Sequence, residues 1–311
     1  VGRAALAGRR VSVVATPPPA SHFPVLQQTV TAASDLAAEL AALAGGGVLT
    51  PARQAVVESL AGGRGAIVLG AAAMRHTSFA DVRAAAAALA SRTGATLGFL
   101  PEGANAAGSA LAGALPHRLP GGRPDPQPGL DVARMLGSPL GACVLLGGIE
   151  PSLDIGLPGA EQALGTCRRI VAITPFADPS TTAIARVMLP MGTFAETAGS
   201  YVSVEGRWQE FRGCAQPVGE ARPAWKILRV LANLLGLEGF SYDSCADVLA
   251  ELRVCAAGAA YDGRFATARE VRPERRGTTS ELRIYGVDAV VRRAPALQRT
   301  RAARDATVRG S

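Results

Sequence analysis

Short apolar runs alternate along this chain with alanine-rich, helix-patterned stretches, and that alternation constrains the fold most. Residues 11–15 (VSVVA), 66–69 (AIVL), 95–100 (ATLGFL), 143–146 (CVLL) and 170–173 (IVAI) are nearly continuous in apolar character. Such runs suit strands covered on both faces rather than strands with one wet face. Between them lie helical segments. Residues 23–43 contain a long stretch rich in Ala and Leu, ended by Gly45, Gly46 and Gly47. Thr50 and Pro51 read as a helix N-cap followed by proline at the first helical position, opening a helix to about Ala61. Thr77 or Ser78 caps a further helix over 79–91. Strand, helix and strand joined by short connections require parallel pairing. The expected fold class is α/β, with open, mostly parallel sheets flanked by helices and a partly irregular C-terminal tail.

The second half follows the same grammar with more interruptions. Residues 131–136 and 160–164 read as short helices, and 174–182 as a proline-broken loop. Residues 187–189 form a short strand stopped by Pro190, which has no N–H to give a ladder. Gly199 is available for a turn, and residues 201–204 (YVSV) read as a strand by β-propensity. Residues 224–235 form the clearest amphipathic helix, with Trp225, Leu228, Ala232 and Leu235 on one side and Ile227, Leu231 and Leu234 beside them. Pro223 stands at its start and Gly236 at its end, and Tyr242, Asp243 and Ser244 lead into a second helix over 245–253. Both are expected to pack on the preceding domain. Residues 264–277 are polar and are expected to hold little regular structure. The expected organisation is a Rossmann-like α/β part over 1–190, a hairpin-like segment with packed helices over 191–257, and a basic, partly extended tail over 258–311.

Composition narrows the functional classes. No apolar run reaches the roughly 18 residues of a membrane-spanning helix, because Arg, Asp, Gly or Pro interrupts each one. The chain starts with valine and shows no secretory leader, so it reads as part of a longer protein that opens within a domain. The formal net charge of +7 is wholly local: residues 264–309 hold twelve arginines against five acidic residues. That basic tail suits nucleic acid, anionic lipid or an acidic protein partner, and it lacks the interleaved aromatics of a single-strand nucleic-acid binder. The five cysteines are scattered, with no CxxC pair, so they read as reduced thiols packing as small hydrophobes.

No catalytic constellation stands out. His22, His76 and His117 are far apart and read as surface or loop histidines. There is no HxH or HExxH spacing, no nucleophile elbow and no Walker A loop. Three features merit attention. The glycine-rich loop Gly103, Ala104, Asn105, Ala106, Ala107, Gly108 follows a strand; it suits either a phosphate approached by backbone amides or a loop packed tightly against a sheet. Glu150, at the end of a strand, reads either as a ligand-binding acid or as a cap for the next helix. Glu205 and Arg207 flank Gly206 in a turn, where they position an anion or pair with each other.

The ordered series from residue 187 onward is far more specific. Leu189-Pro190 is followed by Glu196-Thr197-Ala198-Gly199-Ser200-Tyr201-Val202, then Glu205-Gly206-Arg207-Trp208-Gln209, then Gly219-Glu220-Ala221-Arg222-Pro223-Ala224-Trp225. This order resembles the molybdopterin oxidoreductase family. With Trp208, Phe211 and residues 219–237 it is most similar to the branch formed by the G subunits of bacterial NADH-quinone oxidoreductases (respiratory complex I). The Gly103-x-Asn105-x-x-Gly108 loop, the Glu150-Pro151-x-x-Asp154 segment and the tail sequence IYGVDAVVRRAPALQ (284–298) resemble the same branch.

The resemblance implies a domain related to molybdenum–pterin domains that has lost the cofactor's chemistry. Dinucleotide-binding relatives carry an aspartate in the second half of the glycine loop, where this chain has Leu111 and Ala112. Ser203 stands where the motif often has Asn. No catalytic or metal-binding residue is expected, and Gly103, Asn105, Gly108, Glu205 and Arg207 are candidates for a vestigial pocket. Iron–sulfur clusters of the 4Fe-4S and 2Fe-2S kinds are expected in the full-length subunit, outside these residues. The implied partners are other subunits of the complex I hydrophilic arm, with no nucleic acid and no direct membrane insertion. The implied location is the cytoplasmic face of the bacterial inner membrane. Two other readings stay open: a fragment of a catalytic, formate dehydrogenase-like molybdopterin enzyme, and a stand-alone α/β nucleotide-binding scaffold.

Overall fold

A computed structural model describes residues 1–15, 22–45, 47–62, 64–155, 157, 159–259, 277–279, 285–301 and 303–304. Most of the expected irregular stretch 264–277 lies outside the described residues, as do Thr16–Pro19 at the first strand's end, Arg283 and Ile284 of the tail motif, and residues 305–311. The chain divides into two compact units, residues 1–102 with 262–282, and residues 103–261 with 283–311.

The first unit contains two pairs of parallel strands. Strand β1 (Ser12–Ala15) pairs with β2 (Gln27–Val30), and β3 (Ala66–Leu69) pairs with β4 (Thr96–Phe99). The helix expected across 23–43 is in fact shared between β2, a 3-10 turn (Ala33–Asp35) and a helix at Leu36–Ala44. Residues Gln27 to Val30 lack the alanine and leucine density of the rest, and Thr29 and Val30 are β-branched, which favours the strand.

The helix Phe79–Thr93 lies against Leu36–Ala44. Its alanines at 84–87 are buried and let the two backbones approach closely, and Leu36, Leu40, Leu43, Val82 and Leu89 fill the seam. The Thr50 hydroxyl accepts the Arg53 N–H, and Pro51 occupies the first turn of the helix Pro51–Leu60, as the sequence predicts. Arg53 also forms a two-pronged pair with Glu39, Nε to Oε1 at 3.0 Å and Nη2 to Oε2 at 2.6 Å.

His76 lies in the loop between two helices, one of the two expected settings, but it is buried there, at 3% exposure. Its Nδ1 accepts the Ser78 N–H at 3.0 Å and its Nε2 lies 2.8 Å from the Ala33 carbonyl. Those partners fix a neutral ring with the proton on Nε2, so the histidine is a structural crosslink. Ser78 therefore precedes the helix without capping it through its hydroxyl.

The second unit is built on a three-stranded parallel sheet, β5 (Cys143–Leu146), β6 (Ile170–Thr174) and β7 (Val187–Pro190), with β6 in the centre. Leu145, Ala172 and Met188 align across the strands. They form one face with Leu164, Leu136, Cys143 and Cys167. Burial first, and then neighbouring Cys167, push the Cys143 thiol pKa up, consistent with packing rather than reactivity. β6 is the most buried strand, as a central parallel strand must be, while Val144 and Val187 on its neighbours are exposed.

An antiparallel hairpin follows, β8 (Gly199–Val202) with β9 (Trp208–Phe211). The expected strand over 201–204 is displaced two residues toward the N-terminus. Ser203 already belongs to the turn: its N–H donates to the Arg207 carbonyl, and its own carbonyl accepts from Gly206, at φ +80. Turn chemistry at Glu205-Gly206 overrides the β-propensity of Val204. Gly199, read as a turn residue, sits in the strand because the Phe211 ring covers it. A Cβ there would lie 2.8 Å from the ring.

The helix Ala224–Leu234 forms as expected and ends at Gly236, at φ +69. It runs along the surface, and of its residues only Ala232 is buried; Leu234 and Leu235 are exposed. The helix Cys245–Cys255 is capped reciprocally by Ser244 and Asp247. Among the described residues, no helix is long and apolar enough to cross a membrane.

Candidate functional site

Ligands in open α/β sheets bind at the carboxyl ends of parallel strands. In the second unit those ends are Gly147 and Gly148 after β5, Pro175 after β6 and Met191 after β7. They border a half-open cleft of about 320 Å³, lined also by Thr193, Tyr201, Asp154 and the tail residues Val287 to Val290 with Arg292.

Residues 189–201, residues 150–154 and the tail meet at this end of the sheet. Leu189-Pro190 is followed by Met191, which bridges in parallel to Arg222. The Gly192 N–H donates to the Arg222 carbonyl and the Arg222 N–H to the Pro190 carbonyl. The two proline-bearing segments are thus joined backbone to backbone. Glu196 closes a reciprocal cap with Thr193, accepting its N–H at 2.7 Å and its hydroxyl at 2.9 Å. Those bonds, led by the Thr193 N–H, hold the Glu196 carboxyl below the usual carboxylate range. Tyr201 and Phe211 meet edge to face, with centroids 4.9 Å apart.

The glycine-rich loop lies against this hairpin. Asn105 precedes the short helix Ala106–Leu111 but makes no cap bond. Its Oδ1 accepts the backbone N–H of Val202 at 2.9 Å. The side chain reaches β8 by crossing Gly108, where a Cβ would fall 1.9 Å from Oδ1. Gly108 is therefore required for passage of the asparagine, and the loop packs closely on the hairpin. Gly103 has open space around it. Leu111, in the second half of the loop, is buried.

Glu205 and Arg207 lie in the turn after β8, both exposed. The expected pairing between them is absent: neither side chain forms an ion pair with the other. The turn points the two long side chains into water, where such a pair gains little. Asn105, Gly108 and the start of the turn are thus brought together through Val202, while the charges of Glu205 and Arg207 stay apart.

At the other side of the cavity, Glu150 precedes the helix Pro151–Asp154 without capping it. The capping bond runs in reverse, from the Glu150 N–H to Asp154 Oδ2 at 2.8 Å. Both carboxylates then face the tail. Arg293 Nη1 meets Glu150 Oε1 at 2.6 Å, and Arg292 Nη1 lies 3.3 Å from the same oxygen. Arg292 Nη2 meets Asp154 Oδ1 at 2.5 Å. The Arg293 guanidinium stacks over Phe176 at 4.3 Å. Arg292 and Arg293 are the residues at this site that sequence reasoning did not assign; the available signal was the match between an acidic pair in one motif and a diarginine in another. Among the described residues, no cluster of three or more His, Cys, Asp and Glu is arranged to hold a metal ion.

Comparison with known proteins places this geometry in a family. The family model for molybdopterin oxidoreductases matches residues 25–234. The chain is 31% identical over 179 residues to the G subunit of NADH-quinone oxidoreductase from Mycobacterium bovis, covering 49% of this chain and 22% of that protein. It is 42% identical over 65 residues to the mitochondrial NADH-ubiquinone oxidoreductase 78 kDa subunit of Neurospora crassa, covering 21% of this chain and 9% of that protein. It is 27% identical over 204 residues to the alpha subunit of the F420-dependent formate dehydrogenase of Methanocaldococcus jannaschii, covering 59% of this chain and 28% of that protein. The chain therefore spans less than a third of the length of each of these relatives.

Proposed function

The chain belongs to the molybdopterin oxidoreductase family, and from that premise we propose that it is a structural, non-catalytic part of an NADH-quinone oxidoreductase subunit. In this reading the electron-carrying iron–sulfur clusters belong to another region of the same subunit. The domain packs among the hydrophilic-arm subunits of the complex, peripheral to the cytoplasmic face of the membrane. The tail's outward-facing arginines, Arg299 among them, contact those neighbours.

The observation that carries the reading is the use of the polar groups at the sheet's ligand end. Asn105, the polar side chain of the glycine loop, is bonded to Val202. Glu150 and Asp154 are paired with Arg292 and Arg293. Leu111 is buried where dinucleotide-binding relatives place an acid. The residues present do not fit a pterin dinucleotide, and no catalytic step through one follows from them.

The test is metal and pterin analysis of the native full-length subunit in its complex, by ICP-MS and by pterin fluorescence after acid oxidation. Iron without molybdenum or pterin is the expected result. Stoichiometric molybdenum and pterin would overturn it. They would favour the second reading, a catalytic molybdopterin enzyme, which the match to a formate dehydrogenase subunit over 59% of the chain keeps in view.

A further inference from the structure

We propose that residues 285–298 are a built-in plug that closes the ligand end of the β5–β6–β7 sheet, latched by Arg292 and Arg293 on Glu150 and Asp154. The proposal rests on the geometry of the second unit alone and stands apart from the complex I reading.

The segment is shaped for seating. Asp288 Oδ1 accepts the N–H groups of Val290 and Val291, starting the 3-10 turn Val291–Arg293. Gln298 Nε2 donates back to the carbonyls of Tyr285 and Val291, closing the segment on itself. Its compactness is therefore local, and its position is set by what the turn presents. Val287, Ala289 and Val290 line the cavity at the strand ends. A Cβ at Gly148, one of two consecutive left-handed glycines after β5, would lie 3.6 Å from the Ala289 Cβ and 3.0 Å from Pro175 Cδ. The tail thus sits on the backbone turn where a ligand would approach.

Charge identifies the tail, rather than an anion, as the occupant. The sheet side contributes the carboxylates Glu150 and Asp154, while the tail brings Arg292 and Arg293 together with Asp288, whose Oδ1 takes the tail's own backbone N–H groups. A phosphate or carboxylate ligand would meet net repulsion, whereas a segment bearing two adjacent guanidiniums is complementary. The Arg292 side chain is 8% exposed, and a cation so desolvated is held by its counter-charges rather than by hydration. The remaining cavity, about 320 Å³, lies at the bottom of the usual range for ligand pockets, roughly 300–1,000 Å³.

Hydrogen–deuterium exchange on the full chain, wild type against Arg292→Ala, tests this. The expected result is exchange about tenfold or more faster at amides of 288–299, with β5 and β6 amides unchanged, because the tail opens as a unit while the sheet stays folded. Arg293→Ala, at the more exposed latch, should speed the same amides less, and Glu150→Gln with Asp154→Asn should reproduce the Arg292→Ala pattern. Unchanged exchange of 288–299 in Arg292→Ala would overturn the latch. Simultaneous loss of β5 and β6 protection in Arg292→Ala and in the milder Arg293→Ala would show the segment to be an integral part of the core, which also overturns the plug.

Discussion

Asn105 Oδ1 and the Val202 N–H are 97 residues apart in sequence and 2.9 Å apart in space. That bond ties the glycine-rich loop to the strand carrying the family's Gly-Ser-Tyr-Val segment, and it runs over Gly108. The loop that reads as a possible phosphate cradle thus spends its polar side chain on the neighbouring strand.

Asn105→Ala leaves the N–H of Val202, a residue 2% exposed, without an acceptor, at a cost of about 1–3 kcal/mol. Gly108→Ala forces the asparagine off its path and should cost a comparable amount. Once Asn105 is gone the added methyl no longer meets its Oδ1, so the double variant should be little worse than either single one. A double-mutant cycle by denaturant unfolding reads this coupling, and simple additivity would refute the shared path.

Gly199→Ala should destabilise the hairpin by about 1–3 kcal/mol, because its Cβ would fall 2.8 Å from the Phe211 ring. Phe211→Leu removes the ring edge and the Tyr201 contact, so it destabilises on its own but relieves the clash. Thermal midpoints of the four combinations should show Gly199→Ala less harmful in the Phe211→Leu background.

What the sequence made legible was local. Apolar runs marked β3, β4, β5, β6 and β7 closely, because a short parallel strand shows as one contiguous apolar segment, although only the central β6 is buried on both faces. Thr50-Pro51 and Ser244 announced helix starts, since a cap and the N–H groups it satisfies lie within one turn. The misplaced elements were those where local preference lost to a distant partner. Gly199 looked like a turn until Phe211 was laid upon it. Glu150 looked like a cap or a ligand because Arg293, its partner, is 143 residues away. His76 looked superficial because the Ala33 carbonyl is 43 residues away. No periodicity encodes such pairings, so the candidate site was visible as a set of motifs and not as a set of contacts.

Asp178 gives a pH prediction. It caps the helix Pro179–Ile184, accepting the Thr181 N–H at 2.8 Å and the Ser180 hydroxyl at 2.7 Å. Burial by itself raises its pKa, but the bonds from Thr181 and Ser180 outweigh it and hold the carboxyl below its ordinary value. A depressed folded-state pKa contributes stability above the unfolded value of about 3.9, and that contribution disappears as pH falls through the folded value. Asp178→Asn keeps an acceptor but does not titrate. Unfolding midpoints between about pH 5 and pH 3 should fall more steeply for the wild type than for the variant. Parallel curves would show that Asp178 carries no acid-linked stability.

Glu39 and Arg53 should respond unequally to deletion. The carboxylate side chain is 10% exposed and the guanidinium 35%. Arg53→Ala strands the more buried charge, whereas Glu39→Ala leaves the arginine free to turn toward water. The first should cost about 1–3 kcal/mol and the second less, since the penalty follows the desolvation of the group left behind. Arg53→Lys retains the charge but not the two-pronged geometry, in which Nε and Nη2 each take one carboxylate oxygen, so it should recover only part of the loss. Denaturant midpoints of the three variants order these effects. Equal losses for Arg53→Ala and Glu39→Ala would mean that solvent reaches both partners alike and that the pair acts as an ordinary surface bridge.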